Sequence, residues 1–298
     1  MQLPAGLDLR PLELADAGAV AALIAAQELH DVGEVVIEEA DIVADWQRPS
    51  YDVHGSTVGV FAGDALVAYA EFSGPDRAFV AVDPHHRGRG LGTALAGWSQ
   101  RRARERGSTV VGMPVPSGSA GERLLTQLGY RPRWTSWILR LPAGTEIEAQ
   151  PLPPGHSIRS ADSEADRRAA WTLLEDAFLE WSTRPRQSYE DFAAQVWLRP
   201  GFQPWQLRIV VDGAGDAVAA AFLVMAADCG YVERIATRRD RRNQGLARAL
   251  LADVFRESRA HGATRSELST DSRTGALGLY EKIGMEVTST WVNLAKTL

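Results

Sequence analysis

A chain built from two like copies must fold as two like units, and this sequence contains itself twice. The run LDLRPLELADAGAVAALI from Leu7 returns as HSIRSADSEADRRAAWTLL from His156, each a short strand ending in Arg10 or Arg159 before an acid-rich helix start. Trp46, Arg48 and Pro49 recur with identical spacing as Trp197, Arg199 and Pro200. HHRGRGLGTAL from His85 matches DRRNQGLARAL from Asp240, and LTQLGY from Leu125 matches YEKIGM from Tyr280. Four matches in one order leave little room for coincidence.

Between the copies, LPAGTEIEAQPLPPGH breaks every regular period with four prolines and two glycines, so the boundary is placed in residues 141 to 156. The expected copies are 1–145 and 152–298, each near the roughly 150 residues of an ordinary domain. Within each, hairpin turns at Gly63-Asp64 and Asp212-Gly213 join two strands, and a third strand leads into a long helix. Locally paired strands that then alternate with helices predict a mixed sheet of α/β (α+β) type, duplicated in tandem.

Several classes drop out. No stretch approaches the ~20 apolar residues of a bilayer span, which argues against an integral membrane protein. The first residues carry neither a basic nor an apolar leader segment, and Cys229 is the only cysteine, so a cytoplasmic protein is expected. A net charge of −6, with short basic runs only at Arg101 to Arg106 and Arg238 to Arg242, does not suit nucleic acid. The acids from Glu28 to Asp52 read as a solvated face. His85 and His86 are adjacent, and His30, His54, His156 and His261 form no ligand pattern, so no metal is expected. Cys229 has no histidine near it in sequence and reads as a packed thiol. Lys282 and Lys296 are the only lysines among many arginines and alanines, a bias of GC-rich bacterial genomes.

The informative feature is the turn between third strand and long helix. A helix start exposes unpaired N–H groups and the positive end of its dipole, and glycine lets a phosphate approach the backbone. No lysine-Ser/Thr pair follows the glycines as in a Walker loop, and GRGLGT lacks the third glycine of a dinucleotide fingerprint. The runs Arg87-Gly88-Arg89-Gly90-Leu91-Gly92 and Arg242-Asn243-Gln244-Gly245-Leu246-Ala247 fit R/Q-x-x-G-x-G/A between strand and long helix. That pattern, with Gly129-Tyr130 and Gly284-Met285 before each final strand, resembles the GNAT superfamily of N-acetyltransferases over nearly the whole chain.

The resemblance implies a tandem GNAT acyltransferase using acetyl-CoA as acyl donor. It implies that the main chain of Asn243, Gln244, Gly245, Leu246, Ala247 and Arg248 cradles the pyrophosphate, with Arg242 beside it. Ile235, Ala236 and Thr237 would pair with the pantetheine arm. The first copy offers Val80, Ala81 and Val82 with Arg87, Gly88, Arg89, Gly90, Leu91, Gly92 and Thr93. It further implies Glu233 as base acting through water and Tyr280 as the acid that protonates the departing sulfur. Aligned copies put Ala78 opposite Glu233 and Leu125 opposite Tyr280, so only the second copy is expected to be catalytic. Family members often carry asparagine seven residues before the tyrosine, where this chain has Arg273.

The expected reaction is acyl transfer to the primary amine of a small molecule by direct attack, in a monomer or homodimer. A CoA-sensing module without turnover and a protein N-acetyltransferase are the competing readings. Trp171, Trp181, Trp197 and Trp205 precede the second sheet and read equally as acceptor pocket or core.

Overall fold

The computed structural model describes residues 3–298 except Ala149. The chain runs β1 (Asp8–Arg10), α1 (Ala17–Asp31), α2 (Glu39–Trp46), α3 (Val53–Ser56), β2 (Thr57–Ala62), β3 (Ala65–Phe72) and β4 (Ala78–Val82). There follow α4 (Leu91–Glu105), β5 (Val110–Pro116), α5 (Ala120–Gln127) and β6 (Arg131–Leu141). The pattern restarts with β7 (Ser157–Ser160), α6 (Glu164–Leu179), α7 (Tyr189–Gln195), β8 (Leu207–Val211), β9 (Ala217–Ala226) and β10 (Cys229–Thr237). It closes with α8 (Leu246–Ala260), β11 (Arg265–Asp271), α9 (Leu277–Lys282) and β12 (Glu286–Thr297).

The repeat is visible in small devices as well as in element order. Arg10 grips Asp16 with both guanidinium nitrogens at 2.8 Å, and Arg159 grips Asp166 at 2.6 and 2.7 Å. Each fork ties the end of a first strand to the start of the helix that follows it, and such planar pairing is specific to arginine. Ser163 caps α6 by accepting from the Asp166 N–H while the Asp166 carboxylate accepts from the Ser163 N–H. The two long helices, α4 and α8, each have 15 residues and start from a left-handed glycine, Gly90 or Gly245.

Two compact units emerge, Met1–Ser136 with Ser289–Leu298, and Trp137–Thr288. The sequence copies divide in the linker, whereas the units divide within the strands β6 and β12. Apolar burial explains the difference. In the first unit, Leu294 of β12 is buried with Val111, Met113 and Tyr130. Its strand lies antiparallel to β5 with Leu294 opposite Met113. In the second unit, Leu139 and Leu141 of β6 enter the core with Leu250, Val254 and Phe255 of α8. Each such buried side chain is worth about 1.5–3 kcal/mol, enough to decide where a strand belongs.

The first unit has a sheet in the order β1-β2-β3-β4, and the second unit has β6-β11-β10-β9-β8-β7. In the second unit α6 lies on one side of β9 and β10 with Leu173 and Leu174 buried against Leu207, Ile209 and Phe222. On the other side α8 buries Leu246, Leu250 and Leu251 against Val232 and Leu268. Helix layers over a mixed sheet are the expected architecture. Among the described residues no helix is long and apolar enough to cross a membrane, and no three His, Cys, Asp or Glu side chains assemble as a metal set.

Candidate active site

Strand β10, the fourth of the second copy, splits its sheet. Strand β10 runs parallel to β11 only over Cys229–Val232, opposite Arg265–Leu268. A bulge then falls between Val232 and Arg234, and the extra residue is Glu233, which is exposed. From Arg234 to Thr237 the strand pairs with β9. Its other edge has parted from β11, because a bulge bends the strand that carries it. Ile235, Ala236 and Thr237 therefore lie along an open edge. The Arg238 N–H points back to the Val218 carbonyl at 2.9 Å, so by alternation the Thr237 N–H faces the opening. The Thr237 hydroxyl is buried without a hydrogen-bond partner.

The loop that follows has one geometry in both units. Gly88 and Gly90 have φ of 76° and 83°, and Asn243 and Gly245 have 62° and 78°. Asparagine tolerates the left-handed region better than other side chains, which is why the second motif works with a single glycine. The turn aims the first-turn N–H groups of Leu246, Ala247 and Arg248 outward, as Leu91, Gly92 and Thr93 do in the first unit.

The motif arginines act differently from a free phosphate ligand. Arg87 is forked onto Asp31, the last residue of α1, at 2.7 and 2.9 Å. Arg242 is forked onto Glu180, just past α6, at 2.9 and 2.5 Å. Each also reaches back with Nε to the carbonyl at the end of its strand, Val82 at 3.4 Å or Thr237 at 3.3 Å. Both hold strand end, loop and helix end together. The Arg242 pair is substantially exposed, so it contributes about 1 kcal/mol or less and serves position more than stability. Arg238 pairs with Asp240 and Arg241 with Asp212.

Tyr280 lies on α9 and is buried in the same core as Val232 and Leu246, against which Ile235 packs. Burial alone pushes its phenol up to about 12. Arg273 pairs with Asp271, with its closest contact at 2.5 Å, and lies 5.1 Å over the Trp181 ring. The four tryptophans do not form one cluster. Trp171 and Trp197 meet through Tyr189 at 5.6 and 5.1 Å, Trp181 packs on Phe178, and Trp205 stacks on His261. Cys229 is buried, and burial together with Glu267 pushes its thiol up to about 12, which removes it as a nucleophile.

One group of importance is absent from the sequence-based expectations. Glu175 of α6 is 1% exposed. It receives the Arg184 fork at 2.8 and 2.6 Å and the Gln187 N–H at 2.9 Å. Arg234, next to Glu233, lies 3.9 Å from the same carboxylate and donates to Gln195 at 2.6 Å. Burial raises the Glu175 pKa, but these donors outweigh it and hold the carboxyl below its ordinary value. The signal in sequence was an acid between Leu174 and Ala177 on the apolar stripe of α6.

In the first unit, Arg77, just before β4, makes one parallel bridge to Gly112 of β5, and β4 itself is not paired with β5. The gap is a cavity of about 340 Å³ lined by Val80, Val82, Gly90, Met113, Val115 and Leu125. Gln27 from α1 reaches into it and accepts from the Val82 N–H at 2.9 Å. Ala78 and Leu125 stand where the second unit has Glu233 and Tyr280, and Leu125 is buried.

The acetyltransferase (GNAT) family model matches residues 23–130 and 167–285, and the chain belongs to that family. It is an N-acetyltransferase of tandem build. Among curated relatives, the mycothiol acetyltransferase of Salinispora arenicola is 29% identical over 266 residues, covering 84% of this chain and 83% of that protein. The mycothiol acetyltransferase of Salinispora tropica is 30% identical over 228 residues, covering 72% and 71%. Among solved structures, a GCN5-related N-acetyltransferase from Sphaerobacter thermophilus superposes with a TM-score of 0.76 at 28% identity, covering 99% and 97%. A tandem GNAT protein from the clavulanic acid biosynthesis pathway shares the fold, with a TM-score of 0.74 at 18% identity and 98% coverage of both chains.

Proposed function

We propose that the chain transfers an acyl group, with acetyl-CoA as donor, to the primary amine of a small molecule, and that the reaction takes place in the second unit. The observation that carries this reading is the conjunction at β10. The bulge exposes Glu233, the strand edge beyond it is open, and Tyr280 shares a buried core with Val232 of the same strand, which supports the pairing of these two groups. The curated relatives are named mycothiol acetyltransferases, which makes an amine-bearing mycothiol precursor the first acceptor to test.

The chemistry follows from two proton problems. An ammonium near pKa ~10 must lose a proton before it attacks, and a thiolate leaves more readily when its charge is met. Glu233 takes the first proton through water. The freed amine attacks the thioester carbonyl, a C–N bond forms, and the C–S bond breaks. Tyr280 donates its hydroxyl hydrogen bond to the departing sulfur, and the second proton of the amine nitrogen balances the one the sulfur gains. The open edge from Ile235 to Thr237 aligns the pantetheine arm, and the N–H groups of Gly245 to Arg248 meet the pyrophosphate.

In the first unit the same groove lacks both catalytic groups, so an acyl-CoA bound there would not turn over. The deciding experiment is CoA release over a panel of amino sugars, aminocyclitols, polyamines and aminoacyl conjugates. Gly245→Val should abolish release, because φ of +78° excludes a β-branched side chain there. Gly90→Val should keep a measurable share of it. Equal losses in the two variants, or none in Gly245→Val, would refute the assignment of the reaction to the second unit.

A further inference from the structure

The two loops match in backbone geometry but not in what covers them. A Cβ placed on Gly90 or Gly88 meets nothing within 4 Å. A Cβ placed on Gly245 would lie 2.6 Å from Oε1 of Gln150, a residue of the linker. The same stretch makes further contacts with α8. The Glu148 carbonyl accepts from Arg248 Nε at 2.9 Å, and the Glu148 carboxylate lies 3.3 Å from the Arg248 guanidinium. Glu146 faces Arg259 at 3.8 Å. Ile147 is buried in the core with Leu246, Leu250 and Leu251, and Leu152 packs against that core from beyond Gln150.

The linker is thus fastened by apolar side chains at both ends, while its polar groups rest on the first turn of α8. Those polar groups are acceptors: a carboxamide oxygen, a carbonyl and a carboxylate. They face the glycine and the arginine at the helix start, where the reading above puts a pyrophosphate. Resting on that reading, we propose that Glu148 and Gln150 form a self-inhibitory strap over the acyl-CoA loop of the second unit, which acyl-CoA must displace to bind.

The exchange is chemically balanced. Acyl-CoA replaces the Gln150 oxygen at Gly245 and the Glu148 carboxylate at Arg248 with phosphate oxygens, and Arg248 passes from one anion to another. Glu148 also opposes the incoming ligand by charge, since its carboxylate is 90% exposed and lies on the approach. Gly90 in the first unit carries no such cover, so the strap gives the two units unequal access to one ligand. The copy with Glu233 and Tyr280 is the one restrained.

The test is a titration of the full chain with acetyl-CoA, read by hydrogen exchange in peptides spanning residues 242–250, which report the second unit alone. Wild type is compared with Glu148→Ala/Gln150→Ala. Both changes remove exposed side chains, and a thermal scan checks that the fold is kept. The double variant should protect that segment at roughly 10-fold lower acetyl-CoA, the equivalent of about one modest hydrogen bond no longer displaced. Peptides spanning 80–93 should titrate alike in both proteins. Equal midpoints at 242–250 would overturn the strap and leave the acyl-CoA site standing. No protection in either protein would overturn the strap and the acyl-CoA reading together.

Discussion

Replacing Tyr280 with phenylalanine removes one oxygen and leaves the ring in its cavity, so it separates chemistry from packing. The phenol is pushed up to about 12 by burial, whereas an ordinary thiol titrates near ~8.5. Full transfer of the phenolic proton to a thiolate is therefore uphill by about 5 kcal/mol, at about 1.4 kcal/mol per pH unit. In the proposed reaction Tyr280 would then work chiefly as a hydrogen-bond donor to the sulfur as its charge develops. A hydrogen bond to a charged partner is worth about 1.5–3 kcal/mol, which sets the expected loss in kcat at roughly 10- to 100-fold. The KM for acetyl-CoA should barely move, because the bond strengthens only as the C–S bond breaks. The phenol stays protonated at every pH below about 12, so the size of the loss should be constant from pH 6 to 9. Steady-state CoA release measured over that range, with thermal scans of both proteins, provides the assay. A loss under about 3-fold, or one that grows or shrinks across the range, would refute the argument.

Two other perturbations have distinct signatures. Glu233→Gln keeps the shape of the bulge and removes the base, so its kcat defect should be largest near pH 6 and shrink toward pH 9 as free amine accumulates; a pH-independent defect in the same CoA-release assay would count against proton transfer. Glu175→Ala leaves the Arg184 and Arg234 guanidinium groups without their buried carboxylate and should cost about 3 kcal/mol in urea unfolding at pH 7. Because the folded pKa of Glu175 lies below its ordinary value, its stabilisation is present above about pH 4.5 and is lost as pH falls through the folded value, so variant and wild type should converge in acid.

The features legible in sequence are those that local backbone chemistry dictates. Gly90 and Gly245 stand where a strand must turn by way of a left-handed residue into a helix, and only glycine does so without strain. The repeat of that turn, with the Arg10 and Arg159 strand ends, exposes the duplication. The features that were hidden depend on which surfaces meet. Strand β12 has 12 residues, with Leu294 buried beside β5 in the first unit, and nothing in its own alternation tells which sheet receives it. Gln150 looks like linker because its neighbours are prolines and acids, yet the buried Ile147 and the partly buried Leu152 around it decide where it lies. Arg242 fits the motif pattern whether it meets a phosphate or a carboxylate. Only the position of Glu180 at the end of α6 shows that a protein acid holds it. The two arginines Arg242 and Arg248 then divide the work at the loop: the first, forked to Glu180, sets its shape, and the second, held by the exposed Glu148, is the one whose partner can change.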